Sequence, residues 1–231
     1  MKLKLSEKTL LILKNFQKIN KGLVLKKGNI LMTKSDDNIL YAEATIDETM
    51  SEDFAIYDLA ELINYLGLIG ADAVLEPDMV ELKLSLKGES GKKGKMNLAD
   101  PSVVSHPKKR ITTPVANVIF ELKSDQLDDI LNGASVTGHK ILNFTTAEDN
   151  GKKSIIAEVL DPKDSSANIV TFPIQDYDGN DEFNFYLNID NMKMLKSDYK
   201  VEISKLGAIT FVNDSVKYVI ALEATSNFVE G

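Results

Sequence analysis

Leu3-Lys4-Leu5-Ser6-Glu7-Lys8-Thr9-Leu10-Leu11-Ile12-Leu13 and Glu121-Leu122-Lys123-Ser124-Asp125-Gln126-Leu127-Asp128-Asp129-Ile130-Leu131 decide the fold, because they write one pattern twice. Each reads as a short strand running into a helix, with serine at the N-cap and an acid directly behind it. Ser6 corresponds to Ser124, and Glu7 to Asp125. A duplicated opening predicts a duplicated unit, which constrains the architecture more than any single motif.

The signals that follow keep the same order in both halves. Two strand-like runs joined by a polar turn end in Tyr41-Ala42-Glu43-Ala44 and in Ile156-Ala157-Glu158-Val159. Their turns, Asp36-Asp37-Asn38 and Asp149-Asn150-Gly151, have hairpin chemistry. Phe54-Ala55-Ile56-Tyr57 then leads into a predicted helix over 58–69, and Phe183-Asn184-Phe185-Tyr186 into a shorter helical stretch around 190–196. Strand signal closes each half, over 80–86 in the first and over 199–211 and 216–223 in the second. Two helices and many strands per half predict an α+β domain with helices on one face of an antiparallel sheet. The expected domains are 1–105 and 114–231, joined by a connector over 106–113. Pro101, Pro107, Pro114 and the run Lys108-Lys109-Arg110 interrupt the pattern there, and proline biases such a stretch toward extended backbone.

The first helix is predicted from Ser6 to Asn20, because Ile12, Phe16, Ile19 and Leu23 recur about one turn apart, with Gly22 as the stop signal. Lys14, Lys18 and Lys21 fall on the opposite side at i, i+4 and i+7, in a chain whose formal net charge is −8. An extended anion such as a phosphate backbone can meet all three. The acidity is uneven: 14 basic against 16 acidic residues precede His106, and 13 against 19 lie from there on, giving −2 and −6. Any contact with nucleic acid must therefore be a confined basic strip.

Hydrophobic residues at 43 % and charged residues at 27 % over 231 positions place the chain among folded globular proteins rather than disordered ones. It has no cysteine, which excludes a disulfide framework, a thiolate metal site and a cysteine nucleophile. Charges interrupt the apolar residues of the N-terminal segment, so neither a signal-peptide core nor a membrane span is expected, and the expected compartment is the cytoplasm. His106 and His139 have no second histidine at ligand spacing and read as exposed loop residues. Asp176, Asp178 and Asp181 resemble the start of a calcium loop, but the glycine comes too early and no glutamate closes the frame. Gly88, Gly91 and Gly94 with Lys92, Lys93 and Lys95 miss the phosphate-loop spacing and read as a hairpin tip. No G-x-S-x-G or serine, histidine and aspartate arrangement is present. No enzyme activity, cofactor or metal is expected.

Leu13-Lys14-Asn15-Phe16, Phe54-Ala55-Ile56-Tyr57-Asp58-Leu59, Ala99-Asp100-Pro101-Ser102, Pro114-Val115-Ala116, Tyr177-Asp178-Gly179-Asn180 and Asn191-Met192-Lys193-Met194 stand in the order found in T4-type bacteriophage sliding clamps. Phe183-Asn184-Phe185 and Ala221-Leu222-Glu223-Ala224 extend a resemblance that spans nearly the whole chain and is weakest over 72–95 and 139–172. The resemblance implies the DNA clamp fold: two similar domains per chain, helices lining a central hole, antiparallel sheets outside, and edge strands pairing between the subunits of a homotrimer. It implies a processivity factor that encircles double-stranded DNA without sequence preference and tethers the phage DNA polymerase, placed on DNA by an ATP-dependent clamp loader. Late-transcription partners, a sigma-like factor and a co-activator, and the cytoplasm of the infected bacterial host are implied as well.

On this resemblance Lys14, Lys18 and Lys21 face DNA, with Lys123, Lys193, Lys196 and Lys200 as further candidates in the second half. The helix from Ser124 departs from the family by carrying Asp125, Asp128 and Asp129 with Asn132 and Ser135. An apolar pocket for partner peptides is expected where Val103, Val104 and Ile111 meet Val219, Ala221 and Phe228, unless these are core residues. Two other readings compete: a ring-forming structural or assembly protein of the virion, and a metal-dependent enzyme built on the Asp176 cluster.

Overall fold

The computed structural model describes residues 2–164 and 166–231. The chain divides into two compact units, Met1–Ile111 with Ser215–Lys217, and Thr112–Asp214 with Tyr218–Gly231. The first break lies between Ile111 and Thr112, and the chain returns to the first unit over Ser215–Lys217.

The first unit opens with β1 (Leu3–Lys4) and α1 (Glu7–Phe16), followed by β2 (Leu23–Leu25), β3 (Gly28–Lys34), β4 (Leu40–Met50) and β5 (Phe54–Ile56). Then come α2 (Leu59–Ile69), β6 (Val74–Asp78), β7 (Lys83–Lys87), β8 (Lys93–Asn97) and a 3-10 turn, Pro101–Val103. Four strands form an antiparallel sheet in the order β1-β6-β7-β8, β2 pairs with β5, and β3 and β4 form a hairpin. α1 packs on β4 and beside α2, while α2 covers β7 and β8. Gly94 on β8 is required by that packing, since a Cβ there would lie 2.5 Å from Ile69 Cδ1 and 2.8 Å from Tyr65 Cδ1 of α2. The glycine-lysine segment is thus a hairpin whose glycines let the helix come down on the sheet.

The second unit holds β9 (Val118–Leu122), α3 (Ser124–Thr137), β10 (Ile141–Asp149), β11 (Lys152–Leu160), β12 (Val170–Asp176) and β13 (Glu182–Asn188). After a 3-10 turn, Ile189–Asn191, come β14 (Tyr199–Ser204), β15 (Ala208–Val212), β16 (Val216–Ala221) and β17 (Asn227–Val229). Its larger sheet runs β12-β11-β10-β13-β17, with α3 packed on β11 and β12. β14 pairs with both β15 and β9. The β10–β11 hairpin turns at Asn150 and Gly151, with φ of 52° and 76°, the two positive angles that an Asn-Gly turn supplies most readily. Alternation sends Leu142, Phe144, Phe183, Phe185 and Leu187 into the core, each at most 1 % exposed.

The structure departs from the sequence expectations in five places. α1 stops at Phe16 instead of reaching Asn20, because the chain tightens into i→i−3 bonds: Lys18 N–H donates to Asn15 O at 3.0 Å and Ile19 N–H to Phe16 O at 2.9 Å. Gly22 is not the stop signal; a Cβ there would lie 2.9 Å from Val104 Cγ1 and 3.1 Å from two backbone carbonyls. The helix expected around 190–196 is only the 3-10 turn, since tyrosines bind the backbone of Leu195 in a non-helical form. Tyr218 Oη accepts from Leu195 N–H at 3.2 Å, and Tyr199 Oη donates to Leu195 O at 2.6 Å. Residues 80–82 are a turn, because Asp78 Oδ1 accepts from Val80 N–H and Glu81 N–H and Leu82 has φ of 50°. Ser124 is the first residue of α3 rather than its cap; Asp198 Oδ1 accepts its N–H at 2.9 Å, and Gln126 Oε1 accepts that of Lys123. Ser6 does cap α1, its Oγ accepting from Thr9 N–H at 3.2 Å.

Candidate nucleic-acid interface and partner pocket

Burial of Ile12, Leu13 and Phe16 fixes the roll of α1, and that roll turns Leu11 and Lys14 to solvent. Lys18 follows in the tight turn, also exposed. Among the described residues the side chains of Lys14 and Lys18 form no ion pair or hydrogen bond, so both ammonium groups are available to an external anion. Lys21 differs. Its Nζ lies 3.5 Å from Asp58 Oδ2 and 4.8 Å from the centre of the Tyr57 ring. Asp58 is also the N-cap of α2, its Oδ1 accepting from Ala60 N–H at 3.0 Å. The expected row of three lysines is therefore two free cations and one engaged at the start of α2.

The second unit balances its cations locally. Lys123 pairs with Asp198 at 3.2 Å, Lys196 with Asp128, and Lys200 with Glu202 at 2.6 Å, while Lys193 is exposed. On α3, Asp125, Asp129, Asn132 and Ser135 are exposed. The backbone N–H of Ser124 and the Lys123 ammonium hold the Asp198 carboxyl below the ordinary carboxylate range.

The six apolar candidates for a partner pocket have different environments. Val104 is 6 % exposed in a core cluster with Val24, Ala55 and Ala99, so it is a packing residue and not part of an open wall. Val219 is buried as well. Val103 is exposed at the end of the 3-10 turn, and Ala221 is exposed at the end of β16. Phe228 is half-buried on β17, stacked on Phe185 with ring centres 6.2 Å apart. Ile111 lines a cavity of about 380 Å³ in the first unit, with Leu40, Tyr41 and Pro107 as its apolar floor and Lys34, Lys108 and Lys109 at its rim. Its β3–β4 turn is fixed by Ser35 N–H donating to Leu40 O at 2.8 Å.

Leu40, Tyr41 and the buried Glu43 behind them escape sequence reasoning. A readable signal exists only for Glu43: an acid inside an apolar strand, in a chain that also carries Lys108-Lys109-Arg110. Glu43 Oε1 accepts from Arg110 Nη2 at 2.6 Å, and its Oε2 accepts from Arg110 Nε at 3.1 Å and Tyr41 Oη at 2.6 Å. Burial pushes the Glu43 carboxyl up, but the Arg110 and Tyr41 hydrogen bonds and the Lys217 charge outweigh it and hold the group below its usual range.

A larger cavity of about 780 Å³ lies in the second unit, between the α3–β10 turn, the end of β11 and the segment before β17. Its charged lining residues are of mixed sign, among them Lys140, Asp161, Lys163 and Glu223. His106 and His139 are half-buried rather than exposed, and His106 Nδ1 lies 2.7 Å from Val104 O. Asp176 pairs with Lys152 at 2.8 Å, while Asp181 accepts from Tyr177 Oη and Gly231 N–H. Among the described residues no group of three acids or histidines converges as a metal site, and no helix is long and apolar enough to cross a membrane.

Paired α+β units with helices laid on antiparallel sheets define the DNA clamp fold. The chain superposes on A. fulgidus PCNA, solved with the C-terminal region of FEN-1 bound, with a TM-score of 0.71 and 13 % identity over 98 % of this chain and 99 % of that one. Residues 4–106 match the DNA polymerase processivity factor family, and residues 119–224 match the family described as gp45 sliding clamp, C terminal. The sliding clamp of Enterobacteria phage T4 is 34 % identical over 97 % of this chain and 98 % of its own length. That of Escherichia phage RB69 is 34 % identical with the same coverage. The chain belongs to the phage sliding clamp family, and it is a non-enzymatic processivity factor of DNA replication.

Proposed function

We propose that three copies of this chain close into a ring around duplex DNA and tether the replicative polymerase of the phage to its template. The observation that carries this is the pair of free cations, Lys14 on α1 and Lys18 in the turn that follows it, in a chain with net charge −8. A ring that holds DNA by topology needs few contacts, and lysine–phosphate contacts are independent of sequence, so the ring can slide. Acid elsewhere keeps DNA off the wrong surface. Lys21, Lys123, Lys193 and Lys196 are secondary contacts, weakened where a carboxylate engages them.

Domains 1–105 and 114–231, joined through 106–113, give the ring its six-fold character, and a separate ATP-driven loader opens it. The cavity walled by Ile111, Pro107 and Tyr41 takes an apolar peptide segment of the polymerase, and its lysine rim favours carboxylates flanking that segment. The sigma-like factor and co-activator of late transcription share this dock, with Val103, Ala221 and Phe228 as further partner contacts. All of this takes place in the cytoplasm of the infected host.

The test is the mass in solution by light scattering across a dilution series. Three chains of 25.5 kDa give about 77 kDa for a closed cyclic assembly. A species of that mass, stable to dilution and retained on circular DNA but lost from linear DNA, is expected. A monomer at high concentration that neither DNA nor the loader converts into a trimer overturns the reading.

A further inference from the structure

The connector lacks the support that holds the rest of the first unit together. Residues 105–111 belong to no strand or helix, and Pro107 has no N–H to offer a ladder. Side chains from the loops on either side of β2 and from β4 tether them instead. Asn20 Nδ2 donates to Ser105 O at 3.3 Å, and Lys26 Nζ donates to Pro107 O at 3.2 Å and Lys108 O at 2.7 Å. Asn20 makes one such contact and Lys26 two, all of them to backbone carbonyls.

The third tether is of another kind. Arg110 is 61 % exposed, yet its guanidinium meets a Glu43 side chain that is only 7 % exposed, through two parallel N–H···O bonds. A fork on a carboxylate fixes direction as well as distance. Glu43 also accepts the Tyr41 hydroxyl, and Lys217 Nζ lies 4.0 Å away. Ile111 follows Arg110 directly in the chain and lines the same cavity as Tyr41. Tyr41 is the floor of the cavity and Ile111 its wall, so one buried carboxylate joins both surfaces.

We infer that the Arg110–Glu43 pair is a latch holding the connector as a preformed cavity wall, and that Arg110 is a positioning residue for the partner segment that docks there. The inference rests on the partner-pocket reading above. Arg110 need not touch the segment. By fixing Ile111 and Pro107 over Tyr41 it removes the ordering that docking otherwise requires, and such pre-organisation appears as affinity.

Three variants test it: Arg110→Ala, Glu43→Gln and the double variant, with Arg110→Lys as the conservative control. NMR order parameters of the backbone amides of 106–111, excluding prolines, need no partner. They are expected to fall from about 0.85 to below about 0.6 in Arg110→Ala and in Glu43→Gln, as release of the connector implies. Affinity for the polymerase encoded by the same genome is expected to fall about tenfold with retention on circular DNA unchanged. The double variant should lose no more than either single one, and Arg110→Lys should recover part of the loss. Unchanged order parameters in both single variants overturn the latch. So do lowered order parameters with wild-type polymerase affinity, or additive losses in the double variant. Failure of the wild-type chain to bind the polymerase at all is a separate result and overturns the pocket reading instead.

Discussion

Reversing two charges, Lys14→Glu and Lys18→Glu, should remove most of the stimulation of the polymerase while leaving the chain folded and trimeric. Both side chains are exposed and free of partners, so the substitutions break no internal contact, and surface changes of this kind stay within about 0.5 kcal/mol of wild-type stability. In a trimer they replace six cations facing the phosphates by six anions. At roughly 0.9 per neutralised phosphate, the dependence of log affinity on log salt should flatten by about five if each lysine meets one phosphate. The measurement is processive synthesis on primed circular DNA at several salt concentrations, with mass by light scattering as the control. Lys21→Glu is expected to act differently. It places a carboxylate beside Asp58 at the start of α2, so part of its effect will appear as lost stability. Wild-type stimulation by the doubly reversed trimer would sink the DNA-facing assignment and favour a ring built for assembly rather than for DNA.

How much of this was legible in the sequence depends on the range of the interaction that decides each element. α1, α2 and the two hairpins are readable because short-range chemistry specifies them, whereas the start of α3 is held by Asp198, 74 positions away. Ser6 and Asp58 cap their helices from within the segment, and Asn150-Gly151 fits a positive-φ turn regardless of what surrounds it. The missing helix near Asp190 was not readable. Its sequence is neutral about helix, and two tyrosines from β14 and β16 claim the backbone of Leu195. Lys18 is exposed opposite the apolar stripe, but Asp58 engages Lys21, and no spacing rule connects residues 37 positions apart.

The apolar pocket shows the same limit. Valine and isoleucine near the connector looked alike in sequence, yet Val104 fell into the core beside Val24 while Ile111 stayed at a cavity wall. Burial depends on which strand passes over a residue, and that is settled by the fold. Glu43 is the extreme case, where a strand acid acquires its role from Arg110, 67 residues away.

Phe185→Ala separates core from surface in the second unit and should be the most destabilising single change considered. Phe185 is 1 % exposed, with its ring 5.1 Å from that of Phe183 and 6.2 Å from that of Phe228. Removing a fully buried phenyl group typically costs about 3–5 kcal/mol, through lost transfer energy and the cavity left behind. For a unit of this size that corresponds to a fall in melting temperature of roughly 10–20 °C. Phe228→Ala removes the outermost ring of the same stack, half-exposed on an edge strand of three residues, and is expected to cost under about 2 kcal/mol. The comparison, read by calorimetry together with polymerase affinity, decides what Phe228 is for. Small stability loss with weakened polymerase binding makes it a partner contact. A loss as large as that of Phe185→Ala makes it core, and β17 is then the strand that closes the second unit.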